Sequence, residues 1–451
     1  MRIAGGRGDA GGVWFDGPIE MGMRVCLHAR VAMRVLLELG RFPASDSASL
    51  YEGSRTVDWP EWLDARRTFA VSADVSDTPG LSHSGFAALK VKDAIVDVLR
   101  DALGARPNVD VRNPDVNIRL HVHAGEGKLF LDLAGEPLHR RGYRVAMTDA
   151  PLKENLAAAI LVLGRAEIDL PLWDPMAGSG TFAIEQAMRA RDIAPGLRRR
   201  FGFQRWPGFG GTAWAQSWTR LLDDAKGRIL PKAGAPIVCG DRFTAAVEAA
   251  RQNAAAAGVE ADIEFERADV RDASARWTAG TLIMNPPYGE RLMTVGEGES
   301  RPAPSHAGPR GPRPESSWTD AIRGVPQPSA HAPAPKSDED DPHVQHLKLV
   351  GLYRGMAEAF LRFPGWGVVV LSGTSAWSEP VPWRPEITHR LFNGPLEVRL
   401  LRYEIPEDGK PPEIKLQPSR PRSKRPFAGG AASGQGQRSG PPFRGGPSRR
   451  R

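Results

Sequence analysis

Four short apolar runs in the middle of this chain end on the same kind of punctuation. They are LPLWDPMAGSG (170–180), APIVCGD (235–241), IEFERAD (263–269) and TLIMNPPY (281–288). Each run is too short for a buried helix and long enough for a buried strand. Helical stretches separate them, one starting near Thr181 and one spanning about Thr244 to Ala257. Strand, turn and helix in regular alternation predict a parallel sheet with helices on both faces. Such sheets bind ligands outside the carboxyl ends of their strands. The polar residues closing the four runs are therefore the candidate site. No internal repeat is evident.

The first turn, DPMAGSGT, starts on Asp174 and contains two glycines, which let the backbone turn tightly and approach a ligand closely. It matches neither G-x-G-x-x-G nor G-x-x-x-x-G-K-[ST], so both phosphate-binding readings lose their central residues. A carboxylate ahead of a short glycine turn suits a ligand with a cationic amino group and no phosphate, such as S-adenosylmethionine. Asp241 closes the second run, where a carboxylate can hold ribose hydroxyls. Asp269 closes the third and is placed to accept from an adenine amine. Taken singly, a glycine turn or a helix-capping Asp is an ordinary structural device. The order of the pieces, with a strand between each, argues for a methyl-donor site.

The fourth run ends in Asn285, Pro286, Pro287 and Tyr288. Neither proline has an N–H to donate, so the ladder stops at a stiff elbow. The Asn285 side-chain oxygen and the Pro286 carbonyl can both accept hydrogen bonds. A planar exocyclic NH2 offers two donors to match, and Tyr288 can stack on the ring. This pattern specifies a planar amino group. It does not choose among adenine N6, guanine N2 and a glutamine side chain.

Upstream, residues 88–103 place Leu89, Ala94, Ile95, Val98 and Leu99 on one helical stripe. Residues 116–123 alternate Val116, Ile118, Leu120 and Val122 inward, and KLFLDL at 128–133 is a second strand. The loop LHRRGYR then carries Arg140, Arg141 and Arg144, read as phosphate contacts. His121, His123 and His139 have no Cys or acidic residue spaced with them, so no metal site is expected.

Charge is unevenly distributed. The chain of 451 residues carries a net +7, yet residues 409–451 hold 11 Lys/Arg against one acidic residue. The rest is slightly acidic, so RNA affinity must be argued from motifs. Residues 296–343 and 406–451 are rich in Pro, Gly, Ser and charge, and are expected to be a disordered insert and a disordered basic tail. Two cysteines, Cys26 and Cys239, cannot build a disulfide framework, which fits a reducing cytoplasm. The first thirty residues lack the pattern of a signal peptide. The longest apolar run, Leu156–Leu163, is too short to span a bilayer, so no membrane association is expected.

DPMAGSGTFAIEQA, NPPYGERL and RGYRVAMTDAPLKENLAAAIL (141–161) together resemble the THUMP-domain class I RNA methyltransferases, nearest the bacterial 23S rRNA guanine-N2 enzymes. Further stretches fit, including APGLRRRFGFQRWP (194–207), LYRGMAEAFLRFPGWGVVVLSG (352–373) and FNGPLEVRLLRYEI (392–405). The resemblance implies an α/β chain. Residues 1–145 would form a partial ferredoxin-like segment and a THUMP-type RNA-binding module. Residues 146–405 would form a Rossmann-like methyltransferase domain carrying the 296–343 insert, with the tail beyond. It implies S-adenosylmethionine as donor and RNA as partner, with 23S rRNA or a pre-ribosomal particle as substrate. Asp174, Ala177, Gly178, Ser179, Gly180 and Thr181 would line the methionine end, Asp241 would hold the ribose and Asp269 the adenine. Asn285, Pro286, Pro287 and Tyr288 would be catalytic. Pro151, Leu152 and Lys153 would close the cofactor pocket, although the same stretch also reads as a packed amphipathic helix. Alternatives are a tRNA guanine-N2 methyltransferase, a protein-glutamine methyltransferase and a catalytically silent RNA-binding protein. Relatives begin with a strand and helix ahead of the segment matching VWFDGP, whereas this chain opens MRIAGGRGDAGG.

Overall fold

A computed structural model describes residues 6–8, 11–147, 151–288, 341–381, 383–394 and 396–411. The 296–343 insert therefore lies outside the described residues except for its last three. The tail lies outside them beyond residue 411.

A two-residue ribbon, β1 (Arg7–Gly8) and β2 (Val13–Trp14), leads into α1 (Ile19–His28), β3 (Leu36–Pro43), α2 (Ser47–Arg55) and the single turn α3 (Trp59–Trp62). Next come β4 (Phe69–Ser76), α4 (Ser84–Leu103), β5 (Val116–His123) and β6 (Glu126–Asp132). The four longer strands form one sheet in the order β3-β6-β5-β4, parallel only between β4 and β5. Val116, Ile118, Leu120 and Val122 all point into the core, as the alternation predicts. The buried stripe of α4 is Ala87, Val91, Ala94, Ile95 and Leu99. Leu89, expected on that stripe, is exposed, because it lies two residues from both Ala87 and Val91 and so faces away from them.

The second half runs α5 (Glu154–Leu163), β7 (Leu172–Asp174), α6 (Thr181–Ala190), α7 (Ala213–Gly227), β8 (Ile237–Asp241), α8 (Thr244–Ala257), β9 (Glu264–Arg267) and β10 (Thr281–Met284). It closes with α9 (Pro342–Phe360), β11 (Gly367–Ser372), β12 (Ile387–Asn393) and β13 (Leu396–Glu404). The sheet order is β12-β13-β11-β10-β7-β8-β9. Strands β11, β10, β7, β8 and β9 are parallel, while β13 runs antiparallel to β11 and to β12. One face packs on α5, α6 and α8 through Ile160, Ile184 and Ala250. The other packs on α9 through Tyr353, Met356 and Phe360. This is the doubly covered, Rossmann-like sheet that the four punctuated runs predict.

The segment between the glycine turn and Asp241 belongs to both halves. Phe201, Phe203 and Trp206, with Trp218, Leu221 and Ala225 of α7, pack into the core of the first sheet. Phe203 and Trp218 meet edge to face at 5.0 Å. Aromatic side chains in a stretch that adds no strand to the second sheet therefore tie the two halves together.

Candidate active site

Strand β7 ends on Asp174, which is 1% exposed and accepts from the Met176 amide at 3.2 Å. Burial, with the Asp241 charge adding to it, holds the Asp174 carboxyl well above the usual range. The turn that follows is fastened to β8 at two points. The Ala177 amide donates to the Gly240 carbonyl at 2.9 Å, and the Gly178 amide donates to Asp241 Oδ2 at 3.0 Å. Asp241 Oδ1 accepts from the Phe243 amide at 3.0 Å. Burial raises the Asp241 carboxyl too, opposed by these amides.

Both glycines are required by conformation. Gly178 and Gly180 have φ of 53° and 80°, a region costly for residues with a Cβ. A Cβ on Gly180 would also lie 2.8 Å from Ala250 Cβ, so the glycine lets α8 close on the turn. Thr181 then starts α6, whose N-terminal amides face the same strand ends.

Ser179 and Thr181 are buried, and their hydroxyls are taken up from within the protein. Arg144 donates to Ser179 Oγ at 2.7 Å and to Thr181 Oγ1 at 3.2 Å. It also donates to the Leu152 carbonyl at 2.9 Å and pairs with Glu154 at 3.0 Å. Arg144 is thus no phosphate contact, because four internal acceptors satisfy it. Arg141 is corrected for the same reason. Its guanidinium is 2% exposed, pairs with buried Glu185 at 3.4 Å, and donates to the Leu138 carbonyl at 2.6 Å and to the Arg30 carbonyl. Only Arg140 of the three is on the surface, in an exposed pair with Glu136 at 3.2 Å. Pro151, Leu152 and Lys153 form an extended lead into α5, with Lys153 at its N-cap and Leu152 buried. The packed helix expected in that stretch begins one residue later.

Asp269 follows β9 and caps a short helical turn through the Arg271 amide at 2.9 Å. Its two oxygens also hold the Arg271 guanidinium at 2.9 and 2.8 Å, which keeps the carboxyl below its ordinary value. Oδ1 thus accepts twice, and Oδ2, which accepts once, retains a lone pair for a further donor.

The elbow lies one strand over from the glycine turn. β10 pairs in parallel with β7, with Thr281 beside Leu172 and Leu282 beside Trp173, so both strands exit on the same edge. Asn285 Oδ1 is buried with no hydrogen-bond partner among the described residues. The Pro287 carbonyl is held by the Tyr353 hydroxyl at 2.8 Å. Tyr288 departs from expectation. Its ring is only 4% exposed and lies so close over Gly373 that any Cβ there would overlap it. Its hydroxyl accepts from Asn393 Nδ2 at 3.2 Å. Tyr288 is an anchored wall of the site instead of an open stacking surface, because Gly373 and β12 enclose it.

Asn253 was not anticipated from sequence. Fully buried on α8, it accepts from the Val145 and Ala146 amides at 2.8 and 2.9 Å and donates to the Ala146 and Ser179 carbonyls at 2.9 and 3.1 Å. The signal was an Asn between Ala250 and Ala254 on the apolar face of a helix. Among the described residues no cluster of His, Cys, Asp or Glu could hold a metal, and no helix is long and apolar enough to cross a membrane.

The sheet, the glycine turn and the proline elbow on adjacent strands define a class I methyltransferase domain joined to a smaller α/β module. Residues 44–132 match the THUMP domain model, and residues 141–300 match the model for the RMKL-like methyltransferase domain. The chain therefore carries a THUMP domain followed by an RMKL-like methyltransferase domain. It is similar to ribosomal RNA large subunit methyltransferase K/L of Syntrophotalea carbinolica, 36% identical over 410 residues, covering 88% of this chain and 49% of that one. The protein of that name from Magnetococcus marinus is 44% identical over 296 residues, covering 63% of this chain and 40% of that one. The chain thus spans about half the length of the curated relatives it matches. Among solved structures, SMU.472 in complex with SAH superposes with a TM-score of 0.69 at 27% identity, covering 88% of this chain and 91% of that one.

Proposed function

We propose that this chain transfers a methyl group from S-adenosylmethionine to the exocyclic N2 of a guanine in 23S rRNA, free or in a pre-ribosomal particle. A ribosomal substrate puts the reaction in the cytoplasm. The observation that carries the reading is the buried Asn285 Oδ1, without a partner among the described residues, one strand over from a glycine turn that fits a cationic, phosphate-free ligand. An orphaned buried acceptor costs about 1–3 kcal/mol. A donor from an entering base would relieve that cost. The K/L relatives are named for methylation of large-subunit ribosomal RNA, and SMU.472 was solved with SAH, the demethylated form of the donor.

In this reading Asp174 and the backbone of Ala177, Gly178, Ser179, Gly180 and Thr181 hold the methionine end. Asp241 takes the ribose and Asp269 the adenine amine, while Pro151, Leu152 and Lys153 close the pocket. Asn285 Oδ1 and the Pro286 carbonyl accept the two hydrogens of the target amine. Doing so draws nitrogen toward tetrahedral geometry and frees its lone pair. Pro287 and Tyr288 keep the elbow rigid. The donor, when bound, supplies an already activated methyl group, so the chain's own contribution is positioning for in-line attack. Arg140 and the basic tail add phosphate attraction that salt weakens.

The test is nucleoside mass spectrometry of 23S rRNA and tRNA from cells with and without the gene, beside the purified protein on both RNAs. N2-methylguanosine should disappear from one 23S position in the deletion strain and be restored in vitro. A change confined to tRNA, or a methyl group found on adenine, would refute the substrate assignment.

A further inference from the structure

We propose that Arg144 is a positioning residue for methyl transfer, presetting the wall of the donor pocket from behind. The inference rests on the methyl-transfer reading above. One guanidinium ties its own segment and the lead into α5 to the glycine turn, 35 and 37 residues further along the chain at Ser179 and Thr181. From the turn it takes the hydroxyl oxygens of Ser179 and Thr181 at 2.7 and 3.2 Å. From the lead into α5 it takes the Leu152 carbonyl at 2.9 Å and the Glu154 carboxylate at 3.0 Å. Its own backbone belongs to the connection leaving the N-terminal module, where Asn253 holds the next two residues and the Ser179 carbonyl.

The Arg144 and Glu154 side chains are 14% and 6% exposed. Little water competes for these contacts, and the planar fork of donors fixes geometry as well as charge. With the Ser179 and Thr181 hydroxyl oxygens drawn back toward Arg144, the turn presents its backbone to the pocket. Without the guanidinium, two hydroxyls, a carbonyl and a buried carboxylate lose a shared donor. The turn and the 151–153 segment would then be free to separate. Arg144 touches neither donor nor base in this arrangement. Its effect is on how well the pocket is formed before the donor arrives.

The experiment compares the full-length chain with Arg144→Gln, Arg144→Lys and Glu154→Gln. The readouts are calorimetric affinity for S-adenosylmethionine, KM and kcat on rRNA, RNA affinity and melting temperature. Arg144→Gln should weaken donor affinity and raise its KM about tenfold to a hundredfold, with RNA affinity unchanged. Arg144→Lys should recover part of the loss, since a lysine reaches fewer of the four acceptors. Glu154→Gln keeps the shape, weakens the anchor, and should lose a few-fold; it decides the matter if Arg144→Gln fails to fold. Wild-type donor affinity in Arg144→Gln, or in Glu154→Gln if that variant decides, overturns the inference alone. A wild-type chain without donor affinity overturns the methyl-transfer reading and this inference with it.

Discussion

The glycine turn and the proline elbow leave adjacent strands on the same edge of one sheet, and they are finished in opposite ways. At the turn, polar groups are closed on each other. Both Asp241 oxygens accept backbone amides, and the Ser179 and Thr181 hydroxyls are held by Arg144. At the elbow, the backbone is braced by Tyr353 and Tyr288 is enclosed, yet Asn285 Oδ1 has no partner among the described residues. On the proposed reading, the donor side is a preformed cradle shaped by the backbone, and the target side is a rigid frame around Asn285 Oδ1, an acceptor that no described residue satisfies. A cradle needs shape to hold a cofactor in every cycle. A frame needs one strong preference, satisfied only when the base arrives.

That contrast separates cleanly under mutation. Asn285→Ala should lower kcat by about a hundredfold to a thousandfold, the usual cost of losing one preorganised hydrogen-bonding group at a reacting centre. Donor affinity should be unchanged, and calorimetry beside single-turnover assays would show it. Loss of both together would mean the two sites are not distinct. Gly180→Ala should do the reverse. The φ of 80° costs an alanine about 1–2 kcal/mol, and contact with Ala250 adds to it. Donor binding and melting temperature should fall together.

A smaller effect distinguishes the two sides by pH. Burial raises the carboxyls of Asp174 and Asp241 above the ordinary range. In the free protein both bind a proton more tightly than in the unfolded chain. Stability of the free protein therefore falls as pH rises from the unfolded carboxylate range through the raised values. A cationic donor requires the ionised form, so binding should release protons, and affinity should weaken as pH drops to values where exposed carboxylates are still charged. Calorimetry in buffers of different ionisation heat measures the protons released. An affinity flat down to the ordinary carboxylate range would show that Asp174 does not meet the cation and that Asp241 need not be ionised to hold the ribose. The elbow contributes nothing to this dependence.

The cradle was more legible in sequence than the frame. Strand ends, glycine turn and helix start follow from local rules: apolar runs, positive φ and strand-to-helix alternation. α8 was placed at its observed limits, Thr244–Ala257. The elbow was visible as a motif, but the state of its tyrosine was not, because Gly373 and Asn393 lie 85 and 105 residues further on. The arginines failed for a related reason. Arg140, Arg141 and Arg144 look alike as a basic loop, and burial alone separates them. Arg141 meets Glu185 on α6, and Arg144 meets the turn. The membership of Phe203 and Trp218 in the N-terminal core could not be read either, since the chain returns there only after starting the second sheet.

The finest test of the frame is the brace beneath it. Tyr353 is fully buried on α9, its hydroxyl donates to the Pro287 carbonyl, and its ring meets Trp377 edge to face at 4.8 Å. Tyr353→Phe keeps the packing and removes one hydrogen bond, at a cost of about 0.5–1.5 kcal/mol in stability. If the elbow works by rigidity, releasing that carbonyl should let Asn285 and the Pro286 carbonyl drift from the geometry that meets both amine hydrogens. kcat should then fall a few-fold, with donor affinity and RNA affinity untouched. If the elbow works only through its orphaned acceptor, kcat should stay at the wild-type value despite the lower melting temperature. The variant therefore decides whether the target side resembles the donor side in needing a fixed backbone, or differs from it in that respect too.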